Sequence, residues 1–322
     1  MTLKTTSQQL VTHADVQAAA ERIAPMTRRT PLLRVSAAKQ APKSPFGTLS
    51  LKLENMQVSG SFKARGAVNK LLSLDQNALQ NGIVTASGGN HGLAVAYVGH
   101  ATHTPTTIYL STNATPEKAE KVARWGATVR QQGRVWDEAN TAALAFADET
   151  GAAYLHPFAD EAIIAGQGTC ALEALTDDPD IDTFVVAVGG GGLISGVGAV
   201  AQAHGARVIG VEPVGAPTLT ESVKAGEVIE LDAIRSRVGT LSPRRSAALN
   251  LAHVQATVDA FVLVTDEDME AAARWLWYEF GVAADLAGAA ATAAVLTGKA
   301  QTEPDENVCV IVCGAGNDIF SL

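Results

Sequence analysis

Lys63 lies in Ser59-Gly60-Ser61-Phe62-Lys63-Ala64-Arg65-Gly66, a lysine among small residues and beside an aromatic ring. An ammonium taken out of water releases its proton more easily, so a buried lysine here is a candidate Schiff-base nucleophile. A solvated surface lysine is the ordinary alternative, and Arg65 reads as structural. Gly189-Gly190-Gly191-Gly192-Leu193 follows an apolar run and opens a helical stretch. Glycines let backbone approach an anion, and a helix start offers free N–H groups and a positive dipole end, so a phosphate fits there. Close helix–sheet packing would explain the same glycines. No Gly-Lys-Ser/Thr follows, so the spacing is wrong for a nucleotide P-loop, and no clear ribose carboxylate supports a dinucleotide fingerprint. Ser87-Gly88-Gly89-Asn90-His91-Gly92 is a second loop of this type. It suits a carboxylate, and Asn90 adds an amide for a ligand hydroxyl; a helix N-cap by Ser87 or Asn90 would use the same residues. Cys313 opens Cys313-Gly314-Ala315-Gly316-Asn317 after the last apolar run. Strand ends are where α/β sheets hold ligands, although cysteine is also a common small core residue. Together, one lysine, two anion loops and a strand-end thiol suit a phosphate-bearing aldehyde.

These segments need a scaffold, and the intervening sequence describes one. Short β-branched runs at 49–53, 83–86, 106–110, 128–131, 153–156, 184–188, 208–211, 261–264 and 308–312 alternate with helical stretches such as 15–23, 92–98, 116–125, 136–149, 193–203 and 267–280. Most of the runs are continuously apolar, as expected of strands covered on both faces. The alternation predicts an α/β protein with mostly parallel sheets. No Pro/Gly-rich linker divides the chain, so a second domain is expected as an insertion. The division is 1–81 plus 156–322 for a large cofactor-binding domain and 82–155 for a small substrate-clamping one.

Composition narrows the partners. The 322 residues carry 24 Lys+Arg against 33 Asp+Glu, a net charge of −9 that argues against nucleic acid as a partner. Three cysteines, Cys170, Cys309 and Cys313, supply neither a disulfide framework nor paired zinc-ligand spacing. Residues 183–206 carry no formal charge and are long enough to span a bilayer, but the glycine quartet inside them favours a buried strand, loop and helix. The polar start, Met1 to Gln9, lacks the apolar stretch of a signal peptide. A cytoplasmic protein with no membrane partner is expected.

The sequence resembles the fold-type II pyridoxal-phosphate enzymes, specifically the serine/threonine dehydratase branch that also holds serine racemases. The resemblance rests on Arg29-Thr30-Pro31-Leu32, Leu51-Lys52-Leu53-Glu54-Asn55, Ser61-Phe62-Lys63-Ala64-Arg65-Gly66-Ala67, the Ser87–Gly92 loop, His156-Pro157-Phe158, Ile164-Ala165-Gly166-Gln167-Gly168-Thr169, the glycine quartet and the Cys313 turn, in family order across nearly the whole chain. It implies two domains as in the tryptophan synthase β fold, each an open twisted sheet with helices on both faces. It implies pyridoxal 5′-phosphate as cofactor, an amino acid as substrate and a homodimer. Residue by residue, Lys63 matches the lysine that bonds to the cofactor and later removes the Cα proton, and Phe62 the aromatic beside the cofactor ring. Asn90 matches the amide on the cofactor 3′-hydroxyl. Gly189, Gly190, Gly191, Gly192 and Leu193 match the phosphate cup. Ser87, Gly88, Gly89, Asn90 and His91 match the carboxylate clamp, and Cys313 the residue beside the pyridine nitrogen. A thiol there is too weak an acid to keep the ring nitrogen protonated. A poorer electron sink then favours loss of a β-leaving group over a long-lived carbanion.

The chain departs from the family in three places. Related racemases carry serine where Gly88 stands, and glycine transfers no proton. Members with a divalent-cation site use a Glu…Ala…Asp set; Glu212 and Ala216 align with it, but Thr218 replaces the aspartate, and a hydroxyl is a poorer ligand for a hard cation. The Cys313 turn is one residue longer than the common Ser-Gly-Gly-Asn, which affects Asn317. With the sequence running to Leu322, shortly after the Cys313 turn, the regulatory domain of biosynthetic threonine dehydratases is not expected. The expected activity is α,β-elimination from L-threonine or L-serine to a 2-oxo acid and ammonia. A dehydratase for another β-hydroxy amino acid such as 3-hydroxyaspartate, and a non-catalytic cofactor-binding or nucleotide-binding regulator, are the alternatives.

Overall fold

The continuous apolar runs become parallel strands in a computed structural model that describes residues 10–315. Gly316 and Asn317 of the Cys313 turn lie outside the described residues. The chain enters through α1 (His13–Ile23), β1 (Leu32–Arg34), β2 (Thr48–Lys52), α2 (Lys63–Leu72) and α3 (Gln76–Leu79). It continues through β3 (Ile83–Ala86), α4 (Asn90–Thr102), β4 (Thr106–Leu110), α5 (Pro116–Ala123), β5 (Thr128–Gln131), α6 (Trp136–Thr150) and β6 (Ala153–Tyr154). The remainder is α7 (Glu161–Asp177), β7 (Thr183–Ala187), α8 (Gly192–His204), β8 (Arg207–Pro213), α9 (Thr218–Ala225), α10 (Ala248–Thr257), β9 (Ala260–Val264), α11 (Asp266–Phe280), α12 (Leu286–Leu296) and β10 (Asn307–Ile311). Each expected strand is present within a residue or two of its expected ends. β1 was not expected, because three residues are too few to show a period.

Two sheets result, ordered β1-β2-β10-β7-β8-β9 and β5-β4-β3-β6. All pairings are parallel except that of β1 with β2. Helices cover both faces of the sheets, which is why the strands read as unbroken apolar runs. In the larger sheet Cys309 pairs with Ser50 and with Phe184, so the last strand sits centrally and delivers Cys313 to the middle of the sheet edge. Residues 183–206 form β7, the glycine loop and α8, and no described helix is long and apolar enough to cross a membrane. The three cysteines are free and buried.

Lys63 opens α2, which packs on α7 beside the large sheet and on α4 beside the small one. Its apolar face, Ala64, Ala67, Val68 and Leu71, shares a core with Leu93 and Val95 of α4 and Ile108 of β4. Its other face meets α7 through glycine. A Cβ on Gly166 would stand 2.6 Å from Gly66 Cα and 2.7 Å from Arg65 O, so the two helices cross at backbone contact. This crossing fixes where α2 begins, and so where Lys63 stands.

Candidate active site

A short antiparallel contact brings Lys63 to Cys313. Phe62 N donates to Cys313 O at 3.1 Å, and Ala315 N donates to Gly60 O at 2.9 Å. Ser59 and Gly60, at φ 60 and 81°, turn the chain into this contact; the left-handed region is where glycine is at ease. Lys63 Nζ donates to Pro157 O at 2.6 Å and lies 5.1 Å from the centre of the Phe62 ring. Burial lowers its pKa to about 8, opposed only in part by Cys313. Burial, then the charge of Asp285, raises the Cys313 thiol, which therefore stays protonated, and its Sγ donates to Ala287 O at 3.5 Å.

The Ser87–Gly92 loop ends at the first turn of α4, where no side chain caps the helix. Neither Ser87 nor Asn90 acts as the N-cap: Ser87 Oγ accepts instead from Gly89 N at 3.3 Å, and Asn90 Nδ2 donates to Asp285 Oδ2 at 3.3 Å. The helix-start N–H groups are thus not taken by a cap. His91 contributes differently from its neighbours. Its Nε2 lies 3.0 Å from Leu155 O, and a carbonyl only accepts, so Nε2 carries the proton and Nδ1 is an acceptor. Burial, and then the charge of Lys63, lower its pKa to about 3. The ring is neutral and has no spare donor for a carboxylate, which leaves the backbone N–H as the only donor His91 can offer to one.

At the glycine quartet Gly191 takes φ 95° and α8 starts without a side-chain cap. A Cβ on Gly190 would stand 2.3 Å from Phe158 Cδ1, and one on Gly192 3.0 Å from Phe158 Cα, so only glycine lets the loop lie against Phe158. Ser246 Oγ donates to Gly190 O at 2.9 Å and Asn250 Nδ2 to Phe158 O at 3.1 Å, bracing the cup. Ser195 Oγ, in the first turn of α8, is buried and finds no protein partner. Leu193 is buried behind the cup. A phosphate fits this cup, and an aldehyde within reach of Lys63 fits the rest, so the residues present suit pyridoxal 5′-phosphate.

Two residues that sequence reasoning missed tie the loops together. A Cβ on Gly89 would lie 3.4 Å from Thr240 Cγ2, and one on Gly189 3.0 Å from Thr240 O, so Thr240 stands between the Ser87–Gly92 loop and the glycine quartet. Nothing in its sequence context marks it. Asp285 reaches Asn90 while capping α12; an acid just before an apolar helical run marks the cap but not the reach.

The matched motifs are not all in this site. Arg65 is fully buried and donates to Glu54 at 2.7 and 2.8 Å and to Glu173 at 2.8 Å through two nitrogens. Lys52 Nζ donates to Glu173 at 2.7 Å and to Thr30 O at 2.8 Å. This two-cation, two-anion cluster gathers residues of several motifs behind Lys63, in line with the structural reading of Arg65.

Glu212 does not offer a cation site. Its fully buried carboxylate accepts from Leu219 N and Thr220 N, both at 2.8 Å, and from Thr220 Oγ1 at 2.6 Å. Burial raises its pKa to about 7. Thr218 Oγ1 donates to Pro243 O, and Ala216 is buried with only a backbone to offer. Among the described residues no group of three or more His, Cys, Asp or Glu is placed to hold a metal. These residues do not fit a divalent cation; Glu212 serves the first turn of α9 instead.

Residues 23–314 match the family described as pyridoxal-phosphate dependent enzyme. The L-threonine ammonia-lyase of Thermotoga maritima is 34% identical over 312 residues, 96% of this chain and 77% of that protein. A catabolic L-threonine dehydratase of Staphylococcus aureus is 33% identical over 314 residues, 96% of this chain and 90% of that one. Maize serine racemase superposes with a TM-score of 0.89 at 30% identity, covering 97% of this chain and 96% of its own. Matched over residues 23–314, with Lys63, the glycine quartet and the Cys313 strand end suited to that cofactor, the chain belongs to the family of pyridoxal-phosphate-dependent enzymes.

Proposed function

We propose that the protein is a β-hydroxy amino acid dehydratase, converting L-threonine or L-serine to 2-oxobutanoate or pyruvate and ammonia. The observation that carries this reading is the pairing of Lys63 with a neutral Cys313 thiol, with glycine at position 88. When bound, the cofactor supplies the carbonyl that engages the substrate amino group and the conjugated ring that takes up charge from Cα. The backbone N–H groups of the Ser87–His91 loop and the start of α4 hold the substrate carboxylate. Lys63 Nζ, whose pKa burial lowers to about 8, takes the Cα proton in its neutral form. Cys313 stays a thiol and gives the ring nitrogen no proton of its own, which leaves departure of the β-hydroxyl as the favoured outcome. Gly88 offers no acid on the opposite face, so racemisation is weak.

A dicarboxylic substrate such as 3-hydroxyaspartate is the second reading. It is favoured by Lys118 of α5, whose Cδ lies 3.9 Å from where a Cβ on Gly88 would stand, a cation next to the clamp loop. A 2-oxo acid and ammonia assay across L- and D-β-hydroxy amino acids decides between them. Turnover of threonine and serine supports the first reading, turnover of 3-hydroxyaspartate alone supports the second, and no turnover by protein loaded with cofactor removes both. Residues 82–155 are read as the small domain that closes on the substrate, and the rest as the cofactor-binding domain. The protein is read as a cytoplasmic homodimer; Trp277 and Tyr278, 55% and 75% exposed on α11, are apolar surface available to a second copy.

A further inference from the structure

Asp285 is 2% exposed, in the turn before α12. Its Oδ1 accepts from Gly288 N at 2.5 Å and caps the helix. Its Oδ2 accepts from Asn90 Nδ2 at 3.3 Å, and its backbone N donates to Gly314 O at 3.1 Å. A Cβ on Gly314 would stand 2.9 Å from Asn90 Nδ2 and 3.5 Å from Asp285 Oδ2. Carboxylate, amide and the backbone next to Cys313 therefore meet at one point, although they come from three segments of the chain.

A primary amide can turn either its oxygen or its nitrogen toward a partner, and a carboxylate accepts only. Facing Asp285, Asn90 must present Nδ2. That uses one of its two N–H groups and commits the other as a donor. An oxygen without its own proton is the partner such a donor suits. We propose that Asp285 is a positioning residue that locks the Asn90 amide as a donor to the cofactor ring oxygen and so holds that oxygen unprotonated. The inference rests on the cofactor reading of Asn90, but not on the identity of the substrate.

The test compares Asp285→Asn, Asp285→Glu and Asn90→Ala with the unaltered holoenzyme. Asparagine caps helices about as well as aspartate, so Asp285→Asn keeps α12. It also ends the lock, since an amide accepts and donates. The readouts are the ratio of visible to near-ultraviolet absorption of the bound cofactor across pH, and kcat and KM. For Asp285→Asn the ratio is expected to fall at least about twofold and kcat about tenfold with KM little changed, the effect of one hydrogen bond at the reacting group. Asp285→Glu should keep the visible band. Asn90→Ala, which leaves the cap intact, should lose it alone, and Asp285→Asn should add nothing in that background. A ratio like that of the unaltered protein in Asp285→Asn or in Asn90→Ala, or additive effects in the double variant, overturns the proposal. The absorption readout needs no substrate. The expected change in a protein inert toward hydroxy amino acids would uphold Asp285 and remove only the dehydratase reading.

Discussion

Lys63 shows how a residue acquires chemistry from its surroundings. Its pKa of about 8 comes from burial, and bonding to an aldehyde requires the neutral amine. The rate of cofactor uptake by stripped enzyme should therefore rise about tenfold per pH unit below 8 and level off above it, as followed by stopped-flow absorbance. Lys63→Ala should leave no covalent adduct after borohydride and no turnover, as checked by peptide mass spectrometry and the keto-acid assay. Gly88 gives the complementary case. The nearest atoms to a Cβ there are 3.4 Å away or more, which is ordinary contact, so glycine is not required sterically. Gly88→Ser should fold with an unchanged melting temperature and acquire measurable racemisation by chiral chromatography. Unchanged stereochemical outcome would show that a hydroxyl at 88 does not reach Cα.

At the scale of elements, glycine sets the approach of helices. Gly166→Ala places a methyl group 2.6 Å from Gly66 Cα, where both neighbours are backbone and cannot rotate away. Such overpacking costs about 1–3 kcal/mol. The expected result is a lower melting temperature together with reduced kcat, because α2 carries Lys63; a loss of stability with kcat intact would show that α2 is held elsewhere. The first turn of α9 is held differently, by Glu212. With three donors on this carboxylate, millimolar magnesium or calcium should leave the melting temperature of the protein unchanged in thermal-shift measurements. Stabilisation by either ion would show that Glu212 leaves the helix to bind it.

For the whole molecule, the two sheets are joined by more than chain connections. α2 shares one core with α4 and crosses α7, and Asp285 acts on Asn90 of α4 and, through its charge, on Lys121 of α5. Substrate held at the start of α4 should pull residues 82–155 against the larger sheet. Hydrogen exchange in that segment should slow on adding a non-reactive substrate analogue, and equal exchange with and without it would count against closure.

How much of this was legible depends on the distance over which each interaction acts. The strands were legible in the sequence, because burial on both faces writes itself as apolar runs, and so were the candidate loops, because a lysine among small residues or a run of four glycines is a local statement about backbone and solvation. It placed Lys63, Asn90, the glycine quartet and Cys313 as the residues to watch. The folded chain was needed to show that Lys63 lies against the Cys313 strand end, that the buried His91 ring spends its N–H on Leu155 O, that Glu212 holds the first turn of a helix, and that Arg65 belongs to an ion cluster behind the site. Asp285 is the plainest instance: it lies 195 residues from Asn90, and in sequence it is only an acid before a helix. Hydrogen bonds and charge act over a few ångströms in space, and the strand order, which brings β10 between β2 and β7, sets which distant residues fall within that range.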